Sequence, residues 1–185
     1  ESVYDQPFSD ILAAEVFTPS GMSSAGVQQP PPSGGYDGPP IVMHLASGYN
    51  GAPGARQEAM PKMYVIPGAG GLYATAADVG AFARALFSGE LLSPASRAEM
   101  VRLPPGSEKG YALGIVVVGR DEERFFRHDG GTNGYVSWLQ HFPANRTTVV
   151  ILSNYGFAPI RDLAAAVVAA VAGPPRASAT EKDPR

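Results

Sequence analysis

The segment between Tyr111 and Leu152 constrains the fold more than any other part of the chain. Four runs within it, Tyr111–Val118, Arg124–His128, Tyr135–Phe142 and Thr147–Leu152, are rich in the β-branched and aromatic residues that suit half-buried strands. Gly119–Glu123, a glycine-rich link and Pro143–Arg146 join them, and each is far shorter than the roughly dozen residues a parallel crossover requires. Successive strands must therefore pair antiparallel, as a meander. Pro159–Ala172 follows as a helix, with Ile160, Leu163, Val167 and Val171 along one stripe fitted to lie across a face of the sheet. The expected class is α/β in the α+β sense, an antiparallel sheet flanked by helices.

The glycine-rich link is also the best site candidate. Arg127-His128-Asp129-Gly130-Gly131-Thr132-Asn133-Gly134 places three glycines in five positions, where a backbone can approach a ligand closely or take positive φ. The expected order is strand, glycine turn, strand. His128 stands at the mouth of that turn, and histidine is the side chain whose unperturbed pKa suits proton transfer near neutrality. A plain hairpin that happens to begin with a polar residue accounts for the same spacing equally well.

Composition narrows the function classes. A chain of 185 residues is expected to form one domain with a real core. Its 14 basic and 17 acidic side chains give a net charge of −3 without a run of like charge, so no nucleic-acid partner is expected. There is no cysteine, which excludes disulfides, thiolate metal sites and cysteine nucleophiles and leaves the compartment undetermined. No apolar run approaches the roughly 18–20 residues that span a bilayer, and no charged-then-apolar leader opens the chain. Because the first residue is Glu1 rather than methionine, further residues are expected to precede it.

Upstream of the meander, Pro7–Phe17 reads as an amphipathic helix with Phe8, Ile11, Leu12, Val16 and Phe17 on one face, stopped by Pro19-Ser20-Gly21-Met22. Gly26–Pro40 holds nine glycines and prolines in fifteen positions and reads as a surface connection, with a polyproline ligand at Pro30-Pro31-Pro32 the less favoured reading. Ile41–Leu45 is a brief apolar run, and His44 within it is read as a packing residue. Pro67–Gly71 lacks the order of a phosphate loop. Thr75 and Asp78 have the spacing of a capping box ahead of Val79, Phe82, Ala83, Leu86 and Phe87, with Ser88-Gly89 as the stop. Ser93-Pro94 opens another helix, expected to reach about Leu103 before Pro104-Pro105. Residues 174–185 are polar and aperiodic, an expected disordered tail.

The order of features resembles a known family: Pro19-Ser20-Gly21-Met22, Ala46-Ser47-Gly48-Tyr49, Gly70-Gly71-Leu72-Tyr73-Ala74-Thr75, Leu91-Leu92-Ser93-Pro94, Tyr111-Ala112-Leu113-Gly114, His128-Asp129-Gly130-Gly131 and Val150-Ile151-Leu152-Ser153-Asn154. It is similar to the serine β-lactamase and penicillin-binding-protein-like family, in the branch of class C β-lactamases, D-aminopeptidases, DD-carboxypeptidases and esterases. The resemblance runs from about Tyr4 to Ala172 and implies acyl-enzyme hydrolysis of an ester or amide by an activated serine. It implies three motifs: Ser-x-x-Lys, Tyr-x-Asn or Tyr-x-Ser, and a Lys/His-x-Gly triad. His128 and Gly130 match the third, and the N–H of Gly131 would then face the oxyanion. Asp129 stands where the family often has threonine or serine, and a carboxylate there is expected to favour a neutral or cationic substrate.

No serine is followed three positions later by lysine. The resemblance places the other two motifs before Glu1, so residues 1–173 read as the C-terminal portion of such a domain. The chain alone is then expected to be inactive, with a surface left for its N-terminal half, a partner chain or self-association. The competing reading is a binding or regulatory protein that keeps the fold without the nucleophile. The expected ligand is a small molecule or peptide, with no cofactor and no metal. A metal centre of His128, Asp129 and His141 is the weakest alternative, since no i, i+4 pair or repeated carboxylate supports it.

Overall fold

The computed structural model describes residues 3–28, 45–59, 68–107 and 110–172. His44, Pro30-Pro31-Pro32, most of the Ile41–Leu45 run and the expected tail lie outside them.

Two short antiparallel pairs come first, β1 (Gly26–Val27) with β4 (Leu72–Tyr73) and β2 (Gly48–Asn50) with β3 (Gln57–Ala59). The four expected strand regions then form one antiparallel sheet in the order β5-β6-β7-β8: Val116–Val118, Phe125–Thr132, Tyr135–Phe142 and Thr147–Ser153. β7 has the bounds the alternation gives. β5 is shorter than the expected Tyr111–Val118, because Gly114 turns at φ +73 and Ala112 bonds back to the Ile115 carbonyl. β6 is longer. Gly130 and Gly131 lie inside the strand, paired with Ser137 and Val136, and the chain reverses at Asn133-Gly134 with Gly134 at φ +85. The reversal sits where an Asn-Gly pair favours one.

Two helices cover the sheet. α3, Ala76–Ser88, begins with the expected capping box: Asp78 N–H donates to Thr75 Oγ1 at 3.1 Å and Thr75 N–H to Asp78 Oδ2 at 3.0 Å. Burial pushes the Asp78 carboxyl up, but hydrogen bonds from Thr75, Ser24 and Ser23 together hold it below its ordinary value. α4, Pro94–Met100, ends earlier than the expected Leu103, with Val101 as its C-cap at φ −97 and ψ 2. Near the N-terminus, α1, Phe8–Leu12, continues through a π-helical turn, Ala13–Phe17, into α2, Thr18–Ser20, and stops at Gly21 with φ +72.

Register fixes the two faces of the sheet. Phe126 opposes His141 and His128 opposes Leu139, so these four share one face, while Arg127, Asp129, Trp138 and Gln140 share the other. Phe87 of α3 stacks on Phe126 and on His141, with centroids 5.1 and 4.1 Å apart, and so places α3 on the first face. The main core lies beside it, where Ala112, Ile115 and Phe126 are buried against Phe87, Met100, Val101 and Val117.

α5, Ile160–Ala172, lies on the second face, where Arg161 reaches Asp129. Its docking differs from expectation: Ala164 is 1% exposed, whereas Leu163, Val167 and Val171 are 43, 39 and 57% exposed. The helix carries two apolar strips, and the one with the small residue lets it sit close to the strands. No described helix is long and apolar enough to cross a membrane.

Candidate active site

A second layer of contacts holds the far end of the β6–β7 hairpin. β2, Gly48–Asn50, pairs with β3, Gln57–Ala59, and crosses over the turn. Tyr49 N–H donates to the carbonyls of Asn154 at 2.8 Å and Gly134 at 3.3 Å, and Tyr49 accepts from Gly156 N–H at 2.8 Å. Tyr135 Oη donates to Ala46 O at 2.6 Å, and Asn154 Nδ2 to Ser47 O at 2.8 Å. A Cβ on Gly134 would stand 2.6 Å from Ala59 Cβ, so glycine is required there by close approach as well as by φ. The motifs around Ser47-Gly48-Tyr49 and Ser153-Asn154-Tyr155 are thus the clamp on this turn.

β6 itself changes character along its length. Val117 donates its N–H to Gly110 and away from β6, so Val116 and Val118 are the residues that address Arg127 and Phe125 across the ladder. By antiparallel alternation, Arg127, Asp129 and Gly131 turn their N–H and C=O toward the β5 side, and His128 and Gly130 turn theirs toward β7. β5 ends opposite Arg127. Among the described residues, the main chain of Asp129 and Gly131 therefore has no strand beside it on that side. This is an open edge with an N–H donor at each end of Gly130.

His128 is exposed on the strand, and its Nε2 lies 3.1 Å from the hydroxyl of Tyr111. Gly130 and Gly131 are exposed as well. A Cβ at Gly130 would meet Ser137 Oγ at 3.0 Å, whereas one at Gly131 would find Val136 Cγ1 at an ordinary 3.7 Å. Packing among the described residues thus constrains the first glycine and leaves room at the second.

The Asp129 side chain lies across the sheet from His128. Its carboxylate accepts from Arg127 Nη1 at 2.6 Å and Arg161 Nη2 at 3.3 Å, and the Arg127 guanidinium lies 5.1 Å from the centre of the Trp138 ring. His128, Asp129 and His141 do not converge: Asp129 is on the opposite face, and His141 is buried, stacked on Phe87 and bonded through Nδ1 to Thr148 Oγ1 at 2.9 Å. Burial pushes the His141 pKa below its ordinary value.

Sequence reasoning passed over Tyr111 as a strand residue. Its contact with His128 spans 17 positions, and only the Tyr-Ala-Leu-Gly motif marked the segment. A Tyr-x-Ser spacing does occur, at Tyr135-Val136-Ser137 within β7, but its hydroxyl is held by Ala46 in the clamp.

The Beta-lactamase family model matches residues 1–173. The chain belongs to the Beta-lactamase family. It is 27% identical over 168 residues to penicillin-binding protein 4* of Bacillus subtilis, a match covering 83% of this chain and 36% of the relative. Among solved structures, it is similar to a penicillin-binding protein from Bacillus halodurans, with TM-score 0.73 and 22% identity over 92% of this chain and 51% of that one. It is also similar to a D-stereospecific amidohydrolase from a Streptomyces species, with TM-score 0.71 and 19% identity over 94% of this chain and 51% of that one. The chain therefore spans about a third of the Bacillus subtilis relative and about half of each of these structures. Its fold is that of the β-lactamase-like structures it matches.

Proposed function

We propose that this chain is the C-terminal part of a β-lactamase-related serine hydrolase that cleaves an ester or amide through an acyl-enzyme, with His128 and the Gly130-Gly131 edge lining the acyl site. The open half of β6 carries this reading. It offers a main-chain N–H at Gly131 and an exposed imidazole three strand positions further in, on a hairpin clamped at its tip. An N–H pre-aimed at a developing oxyanion contributes roughly 3–4 kcal/mol to such reactions elsewhere. His128 would orient the acyl group and hold or give up a proton at an imidazole nitrogen. Asp129 would contribute through its main chain, its carboxylate being engaged by Arg127 and Arg161.

The nucleophile would come from the residues before Glu1, and so would the cover for the Leu163, Val167 and Val171 strip. A helix apolar on two sides is a helix for a fuller core. The D-stereospecific amidohydrolase and the penicillin-binding relative make an amide of D configuration or a penicillin the first substrates to try.

The test is to express the gene product with its preceding residues, treat it with a fluorophosphonate and map the adduct. The expected result is one modified serine ahead of Glu1, with acylation slowed at least tenfold in His128→Ala. Absence of any adduct would favour the binding or regulatory reading.

A further inference from the structure

His128 is not alone on the open edge. Tyr111 is 46% exposed, yet the chain around it is fixed. Ser107 Oγ donates to the Tyr111 carbonyl at 2.9 Å, Ala112 N–H to Ile115 O at 2.8 Å, and Leu113 N–H to Met100 O at 3.1 Å. Ala112 and Ile115, at 8 and 5% exposure, anchor this turn in the main core. The tight turn at Gly114 ends β5 early, opening the edge beyond Arg127, and it also swings the Tyr111 ring toward His128, with an edge-on contact at 6.1 Å. One local departure from strand geometry thus creates the opening and furnishes its second aromatic side chain.

We propose that Tyr111 is a positioning residue for His128: its hydroxyl donates to Nε2, which keeps the neutral imidazole in the Nδ1–H form and aims that N–H at a bound carbonyl. This rests on the hydrolase reading for what the imidazole faces, but the tautomer itself does not depend on it. A neutral imidazole has one donor and one acceptor nitrogen, and the partner of one nitrogen decides the form of the other. Among the described residues, Nε2 is the one hydrogen-bond partner of the phenol oxygen, and Nδ1 has none. If Nε2 carried the proton instead, the phenolic proton would have no described acceptor and the imidazole would offer the carbonyl no N–H. With Tyr111 donating, both groups are used.

Nitrogen-15 NMR of the 185-residue chain, at a pH well above the histidine titration range, reads the tautomer directly. The Nδ1–H form of His128 should predominate, and Tyr111→Phe should reverse the ratio toward Nε2–H while the other amide signals stay in place. A predominant Nε2–H form in the unaltered chain would overturn the proposal, as would an unchanged ratio in Tyr111→Phe. Should that variant fail to fold, the unaltered chain decides alone. No turnover is needed, so failure of the encoded protein to form an acyl-enzyme would count against the hydrolase reading and leave this result standing.

Discussion

His141 and His128 lie on the same face of neighbouring strands, two positions apart along one ladder, and have opposite surroundings. At the inner end, β5 closes the sheet and Phe87 covers it, so His141 is 5% exposed and serves as a core residue with one hydrogen bond. At the outer end β5 has gone, the glycines expose the strand, and His128 stands free of the core beside a tyrosine. Residue type does not separate a buried histidine from an exposed one here. What separates them is whether the neighbouring strand continues.

Substitutions should divide along the same line. The largest loss belongs to the inner end: Phe126→Ala removes a buried ring that stacks on Phe87, and urea unfolding should show a loss of about 3–5 kcal/mol. Next is the clamp, where Gly134→Ala must adopt φ +85 and push against Ala59 and Gly48, a cost of about 2–3 kcal/mol by the same measurement. Asp129→Asn releases Arg127 and Arg161 from a partly exposed carboxylate and should cost about 1 kcal/mol, shrinking with added salt.

A pH effect should follow from His141. Its folded pKa lies below the unfolded value, so the unfolded chain binds more protons in the interval between them. Its contribution is fully present above the unfolded value near 6.5 and is lost as pH falls through that interval. His141→Phe should flatten this part of the stability profile. His128→Ala should change stability least, within about 0.5 kcal/mol, because an exposed side chain leaves no cavity. A large loss there would erase the contrast between the two ends.

The inner end was the legible one. Thr75 and Asp78 spell out a capping box, the alternation from Tyr135 to Phe142 gives a strand with its bounds, and connection lengths alone force the meander. These are local signals, each contained in a dozen residues. Three features escaped for lack of one. Gly130 and Gly131 look like a turn because glycine breaks strands, yet the Asn-Gly pair beyond them takes the turn and leaves them in the ladder. α5 carries an apolar strip on either side, so periodicity could not tell Ala164 from Leu163 and Val167 as the buried row. The Tyr111–His128 contact joins two strands' ends and is written nowhere in either segment.

In the proposed hydrolase the site is split: this chain would supply the oxyanion donor and the imidazole, and the nucleophile would come from residues before Glu1. Units of this kind act together, and what remains after the nucleophile is removed binds and polarises a carbonyl without forming an acyl-enzyme. Intact mass spectrometry of the purified 185-residue chain, after incubation with a fluorescent penicillin and a fluorophosphonate, tests this most directly. The account predicts an unmodified mass with both reagents. A stoichiometric adduct on any serine of this chain would contradict it and place a working nucleophile among these residues.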